Sequence, residues 1–250
     1  MVSTWLLHLL QGNPGTHIFS ANPEASIGTA DSLYVWPRPR TVVLGGTSAR
    51  VQRQAGTPLF AHVGGCCTDL LNEAFDRYER IIYWAEADPT TPPHIRVRVL
   101  GLRNSTVGPE LARCGGGLTG RDIFGTLEVR VDSRHPTPLQ LHVDESYSLQ
   151  LTEHGGTLTS KTEWGALRGL ETFSQLVRWA GPPFGDLLCD LPLRVDDSPT
   201  YAWRGLLIDT GRHFYPVADI VRMLDAMAAL KLNTLHWHLV DAASFPFGRP

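Results

Sequence analysis

The feature that most constrains this chain runs from Tyr201 to Asp241, which reads strand, helix, strand. Gly205-Leu206-Leu207-Ile208 is continuously apolar, which predicts a strand buried on both faces. Pro216 sits where a helix can begin without its own N–H, and Val217, Ile220, Val221, Leu224, Met227 and Ala228 form an apolar stripe behind it. Thr234-Leu235-His236-Trp237-His238-Leu239-Val240 predicts a second strand, closed by Asp241. Two strands joined through a helix run parallel with a right-handed crossover in nearly all cases. Their C-terminal ends must therefore lie side by side.

Charged groups stand at both of those ends. Asp209-Thr210-Gly211-Arg212-His213 follows the first strand, and Asp241 follows the second. In β/α barrels the chemistry sits at this end of the strands. Arg212 is either a fork of donors for neighbouring hydroxyls or a carboxylate, or an ion-pair partner of Asp209 or Asp241. Asp241 either accepts from a hydroxyl and orients a histidine, or caps the next helix. His236 and His238 are two apart, so on a strand both imidazoles face one way and could share a metal ion. A histidine bonded to backbone or carboxylate is the plainer alternative. Asp144-Glu145 are adjacent, so on a strand they face opposite ways and read as a solvated edge.

Composition narrows the class. A net charge of −3 and the lack of any basic run speak against nucleic acid or an anionic membrane surface as partner. No run of about twenty apolar residues is present, so no membrane-spanning helix is expected. Four cysteines include the vicinal pair Cys66-Cys67 and no CxxC spacing, which argues against a zinc site and leaves one or two disulfides open. Cys66-Cys67 also opens a helix, where disulfide formation or packing is favoured over a nucleophilic role. Asn104-Ser105-Thr106 is a glycosylation sequon at Asn104.

Three segments are expected: a loose lead or weak signal segment over 1–32, an α+β domain over 33–199, and a β-α-β unit over 200–250. In the middle segment Leu70, Leu71, Ala74, Phe75, Tyr78, Ile81 and Ile82 predict a helix capped by Thr68 or Asp69. Alternation predicts strands at Ile95–Val99, Leu127–Val131 and Tyr147–Leu151 in an antiparallel sheet covered on one side. Ser160 with Glu163 suggests a capping box for a helix starting near Thr162, its stripe carried by Trp164, Leu167, Leu170, Phe173 and Val177. Residues 182–199 read as a connector.

Several motifs in order carry a resemblance. Trp203-Arg204-Gly205, Asp209-Thr210-Gly211-Arg212-His213-Phe214, Leu232-Asn233-Thr234-Leu235-His236-Trp237-His238-Leu239-Val240-Asp241 and Ser244-Phe245-Pro246-Phe247 closely resemble the lysosomal β-hexosaminidases, the family-twenty glycoside hydrolases. Trp164–Val177, Asn72–Tyr78 and Trp36-Pro37-Arg38-Pro39 resemble the domain that precedes the barrel in that family.

The resemblance implies an α/β and α+β architecture: a zincin-like sheet with two helices, then the start of a (β/α)8 barrel, a TIM barrel. It implies removal of terminal N-acetylglucosamine or N-acetylgalactosamine by substrate-assisted retaining hydrolysis, without cofactor or metal. Arg212 matches the arginine that holds the sugar hydroxyls, Asp241 an aspartate of the same pocket, and His236 and His238 would support the pocket. The substrate would be a carbohydrate, the location lysosomal or secreted, and family members often dimerise. A disulfide is implied that starts at Cys66 or Cys67.

Some positions depart from the family pattern. Ala242 stands where a second aspartate is usual. The catalytic Asp-Glu pair belongs after a later strand, and residues 242–250 hold no carboxylate side chain. The 250 residues are therefore expected to lack turnover and to represent a fragment or inactive isoform. Rival readings are a non-catalytic partner or decoy built on the first domain, and a metal-dependent barrel hydrolase using His236 and His238.

Overall fold

The computed structural model describes residues 35–83, 122–179 and 185–242. The lead over 1–32, the strand at Ile95–Val99 and the Asn104 sequon lie outside them. In chain order the strands are β1 (Thr41–Val43), β2 (Thr47–Val51) and β3 (Phe60–His62), followed by helix α1 (Thr68–Ile82). Then come β4 (Leu127–Val131), β5 (Tyr147–Thr152), β6 (Gly155–Ser160) and helix α2 (Glu163–Leu176). β7 (Arg178–Trp179), β8 (Asp186–Leu191), β9 (Leu193–Asp197), β10 (Gly205–Asp209), α3 (Val217–Ala229) and β11 (Thr234–His238) complete the order.

A six-stranded sheet in the order β1-β9-β5-β6-β4-β3 carries α1 and α2, which also pack on each other. One face is buried because the strands alternate as expected: Leu127, Val129 and Val131 in β4, and Tyr147, Leu149 and Leu151 in β5, all point inward. Helix α1 lays Leu71, Ala74, Phe75, Tyr78 and Ile82 on this face. Phe60 stacks on Phe75 at 5.3 Å and meets Phe173 edge-on at 5.6 Å, so an aromatic cluster joins the sheet to both helices.

Strand direction and the extent of the sheets differ from expectation. The sheet is mixed, not antiparallel, because β3–β4 and β4–β6 pair in parallel. Alternation marks a covered face but carries no strand direction. The stretch read as a connector supplies β9, which lies inside the sheet, and β8, the middle strand of a three-stranded sheet β2-β8-β7. Both are short apolar runs around Pro192, which masked them as punctuation.

The helix starts also differ. Helix α1 follows Cys67, which sits at φ 71° and makes no side-chain cap bond. The cap of α2 is Thr162, whose hydroxyl accepts from Gly165 N at 3.3 Å; Ser160 instead donates to the Thr162 carbonyl. The buried face of α2 is centred on Gly165, Ala166, Gly169, Leu170 and Phe173, one step round from the expected stripe. Glycine carries no hydrophobic signal, yet it permits the closest approach to a sheet.

The β-α-β unit forms as expected: β10 and β11 are parallel, with Gly205 opposite Thr234 and Asp209 opposite His238. Its first strand is not buried on both faces. Leu207 is 56% exposed, and Ile208 is the buried residue of β10. Among the described residues, β11 is the strand paired with β10.

Candidate functional site

The turn after β10 is built by Asp209. Its Oδ1 accepts from Gly211 N at 3.0 Å and Arg212 N at 3.2 Å, the side-chain-to-backbone pattern that closes an Asx turn. Thr210 N donates to His238 O at 3.0 Å, carrying the parallel ladder one step past the strand. This turn places the Arg212 side chain across the ends of both strands.

The guanidinium of Arg212 lies between two carboxylates. Nη1 pairs with Asp209 Oδ2, and Nη2 donates to Asp241 Oδ2 at 2.8 Å. His238 Nε2 meets the same Asp241 oxygen at 3.3 Å. Partial desolvation pushes the Asp209 carboxyl upward, but the hydrogen bonds and charge of Arg212 prevail and hold it below the usual carboxylate range. The Arg212 side chain remains 63% exposed, so donors of its fork stay available to a ligand. Trp237 donates its indole N–H to Thr210 Oγ1 at 3.0 Å, beside the same turn.

Arg212, Asp241 and His238 come together; both ion-pair partners foreseen for Arg212, Asp209 and Asp241, are used. His236 lies opposite Leu207 in the ladder, two residues before His238. Among the described residues, His236, His238 and Asp241 do not gather as a three-donor cation cluster; Cys66, Cys67 and Glu163 do.

What holds this unit in place was not foreseen. Glu145, read as a solvated edge, is 5% exposed. Its carboxylate accepts from Arg204 Nη2 at 2.7 and 2.5 Å and from Arg168 Nε at 2.6 Å. Arg204 stands just before β10, and its N–H donates to Asn233 Oδ1, just before β11, at 3.0 Å. One carboxylate just before β5 therefore pins the entry to both strands of the β-α-β unit. Beside it Lys231, also buried, donates to Thr172 Oγ1 at 2.6 Å and Tyr147 Oη at 2.9 Å. Tyr147 Oη in turn donates to Asp197 Oδ2 at 3.0 Å. Burial lowers the lysine's proton affinity, and Asp197 and Glu171 oppose that shift without cancelling it. The only sequence signal for this seam was charge at residues flanking strands.

A strand-end arginine braced by two aspartates, on a β-α-β unit bolted to a mixed sheet, suits recognition of a polyhydroxylated ligand. Comparison with known proteins supplies the family. The model of the glycosyl hydrolase family 20 catalytic domain matches residues 201–249, and that of the beta-acetyl hexosaminidase-like domain matches residues 35–176. The chain belongs to the β-hexosaminidase family of glycosyl hydrolases.

It is 33% identical over 224 residues to Beta-hexosaminidase 1 of Arabidopsis thaliana, covering 87% of this chain and 38% of that protein. It is 40% identical over 184 residues to Beta-hexosaminidase subunit beta of Mus musculus, covering 74% of this chain and 30% of that one. The chain thus spans about a third of the length of these relatives. Among solved structures, the chitobiase of Flavobacterium johnsoniae matches with a TM-score of 0.59 at 26% identity, over 86% of this chain and 28% of that one. The N-acetyl-beta-hexosaminidase of Streptomyces plicatus, solved with Thio-NAglucal, shares the fold with a TM-score of 0.53 at 23% identity, over 88% of this chain and 37% of that one.

Proposed function

We propose that this chain supplies the sugar-holding corner of a β-N-acetylhexosaminidase, with residues 33–199 as a zincin-like supporting domain and residues 200–250 as the first unit of a TIM barrel. The observation that carries this is Arg212 held between Asp209 and Asp241 at paired strand ends. In this reading the Arg212 fork donates to adjacent hydroxyls of a terminal N-acetylhexosamine. Asp241 accepts from a hydroxyl and fixes His238, while His236 supports the pocket wall. The Trp237 indole offers an apolar face nearby.

Hydrolysis would then be substrate-assisted. The acetamido oxygen attacks the anomeric carbon, the glycosidic bond breaks, and a carboxylic acid protonates the leaving oxygen. That acid and its neighbouring aspartate would come from a further segment. A lysosomal or secreted glycoprotein, working as a dimer, fits the same reading. The metal-dependent alternative is less well supported, because Asp241 is already engaged by Arg212 and His238.

Arg212→Ala separates grip from chemistry. In the protein carrying this segment with the acid pair, kcat/KM on a chromogenic N-acetylglucosaminide is expected to fall about 10²-fold, roughly 2.7 kcal/mol of lost charge-assisted bonding. In the 250-residue chain, saturation-transfer NMR should register N-acetylglucosamine and lose the signal on the same substitution. Unchanged kcat/KM in the variant would remove Arg212 from the site.

A further inference from the structure

The cluster that the glycosidase reading leaves unused lies where the residues just before α1 meet the first residue of α2. Cys66 and Cys67 precede α1 and are joined to one another by a disulfide, where the family resemblance implied a disulfide starting at one of them. Glu163 is the first residue of α2 and is 2% exposed. A Glu163 carboxylate oxygen and the two sulfurs lie within 4.8 Å of one another.

The carboxylate is incompletely satisfied. Glu163 Oε1 accepts from Thr137 N at 2.6 Å, which fixes the side chain, but Oε2 is buried without a hydrogen-bond partner. A buried carboxylate oxygen with no partner costs stability unless a donor or a cation meets it. The absence of a CxxC spacing bears on cysteine-only sites. Folding adds the third donor from nearly a hundred positions along the chain.

We propose that Cys66, Cys67 and Glu163 form a redox-gated site for a thiophilic divalent cation such as zinc. With the disulfide closed the sulfurs are poor donors. A cellular or added thiol, RSH, opens it: the Cys66–Cys67 S–S bond breaks, two thiols form, and two RSH become RSSR. The cation then displaces two protons, forms two metal–sulfur bonds and takes a Glu163 oxygen as third ligand, leaving one tetrahedral position for water. Donors around such a zinc lie about 3.8 Å apart, so ordinary side-chain adjustment closes the set. The bound cation would tie the start of α1 to the start of α2.

The test uses the 250-residue chain, reduced with a phosphine and freed of reductant, with zinc titrated against a chromogenic chelator. A Cys114→Ser, Cys189→Ser background leaves the vicinal pair as the only thiols. The expected result is one zinc per reduced chain and none per oxidised chain. Cadmium should give the ultraviolet sulfur-to-metal band of two thiolates, and Glu163→Gln should weaken binding by at least about tenfold. If substitution impairs folding, alkylation of the unsubstituted reduced chain decides: zinc should shield Cys66 and Cys67 from iodoacetamide. No uptake by the reduced chain, equal affinity in Glu163→Gln, or no shielding would overturn the proposal.

Discussion

Glu145→Ala is expected to destabilise the protein by about 4 kcal/mol, the range for removing one partner of a buried ionic cluster. The loss exceeds that of an ordinary surface pair because two guanidiniums face this one carboxylate. The side chains of Arg168 and Arg204 are 18% and 13% exposed, so neither can turn fully to water. Arg204 would keep its bonds to the Lys231 and Tyr201 carbonyls, which hold the charge in place while its counter-ion is gone.

Urea unfolding of wild type and variant at neutral pH measures the effect. A loss under about 1 kcal/mol would show that the cluster is hydrated and weak, as exposed pairs are. Hydrogen exchange locates the effect: amides of β10 and β11 should lose protection before those of β5. If Glu145 instead acts only within the first sheet, both groups should lose protection together.

The same carboxylate gives a pH dependence with a definite sign. Burial pushes the Glu145 carboxyl upward, but the hydrogen bond from Arg204 and the charge of Arg168 outweigh it, so its folded pKa is lowered. A depressed folded pKa means the contribution is present above the unfolded value, about 4.3, and is lost as pH falls through the folded value. Wild type should therefore weaken below about pH 4. Glu145→Ala should show a shallower acid limb.

The second large effect is expected at Gly165. Alanine within a helix gains up to about 1 kcal/mol over glycine, and Gly165 lies in the first turn of α2. Here a Cβ would lie 2.3 Å from the Ser146 carbonyl oxygen and 3.0 Å from Ser160 Cβ. The obstacle is backbone at the entry to β5, beside Glu145, and cannot rotate away. Overpacking of this kind costs about 1–3 kcal/mol, and with backbone as the obstacle the cost falls at the upper end, so we expect Gly165→Ala to lose about 2 kcal/mol net.

Gly169→Ala is the internal control. Its Cβ would meet the Leu158 methyls at 2.2 and 2.9 Å, atoms at the end of a side chain that can change rotamer. The urea midpoint should fall clearly more for Gly165→Ala than for Gly169→Ala. The reverse order, or a raised midpoint for Gly165→Ala, would mean that α2 rides farther from the sheet than a glycine contact requires.

The helices and the alternating strands were legible because their signal is local: apolar side chains recur at the period of the element that buries them. Helix α1 shows Leu71, Phe75 and Tyr78 to any reader of the sequence, and β4 shows Leu127, Val129 and Val131. Strand direction, β8 and β9, and the glycine-centred face of α2 were not legible. Pairing direction and close approach depend on which distant segment lies alongside.

The site divides in the same way. By itself the sequence determined the β-α-β unit and the presence of Arg212, Asp241 and His238 near its strand ends, since crossover handedness leaves little choice. Only the tertiary structure decided that Arg212 is shared between Asp209 and Asp241 and that Glu145 anchors both strand entries. It also decided that Glu163 joins Cys66 and Cys67. Each of these is a contact between charged or polar groups far apart in sequence. Such contacts leave no periodic trace in the chain, and their energies arise only when folding removes water from around them.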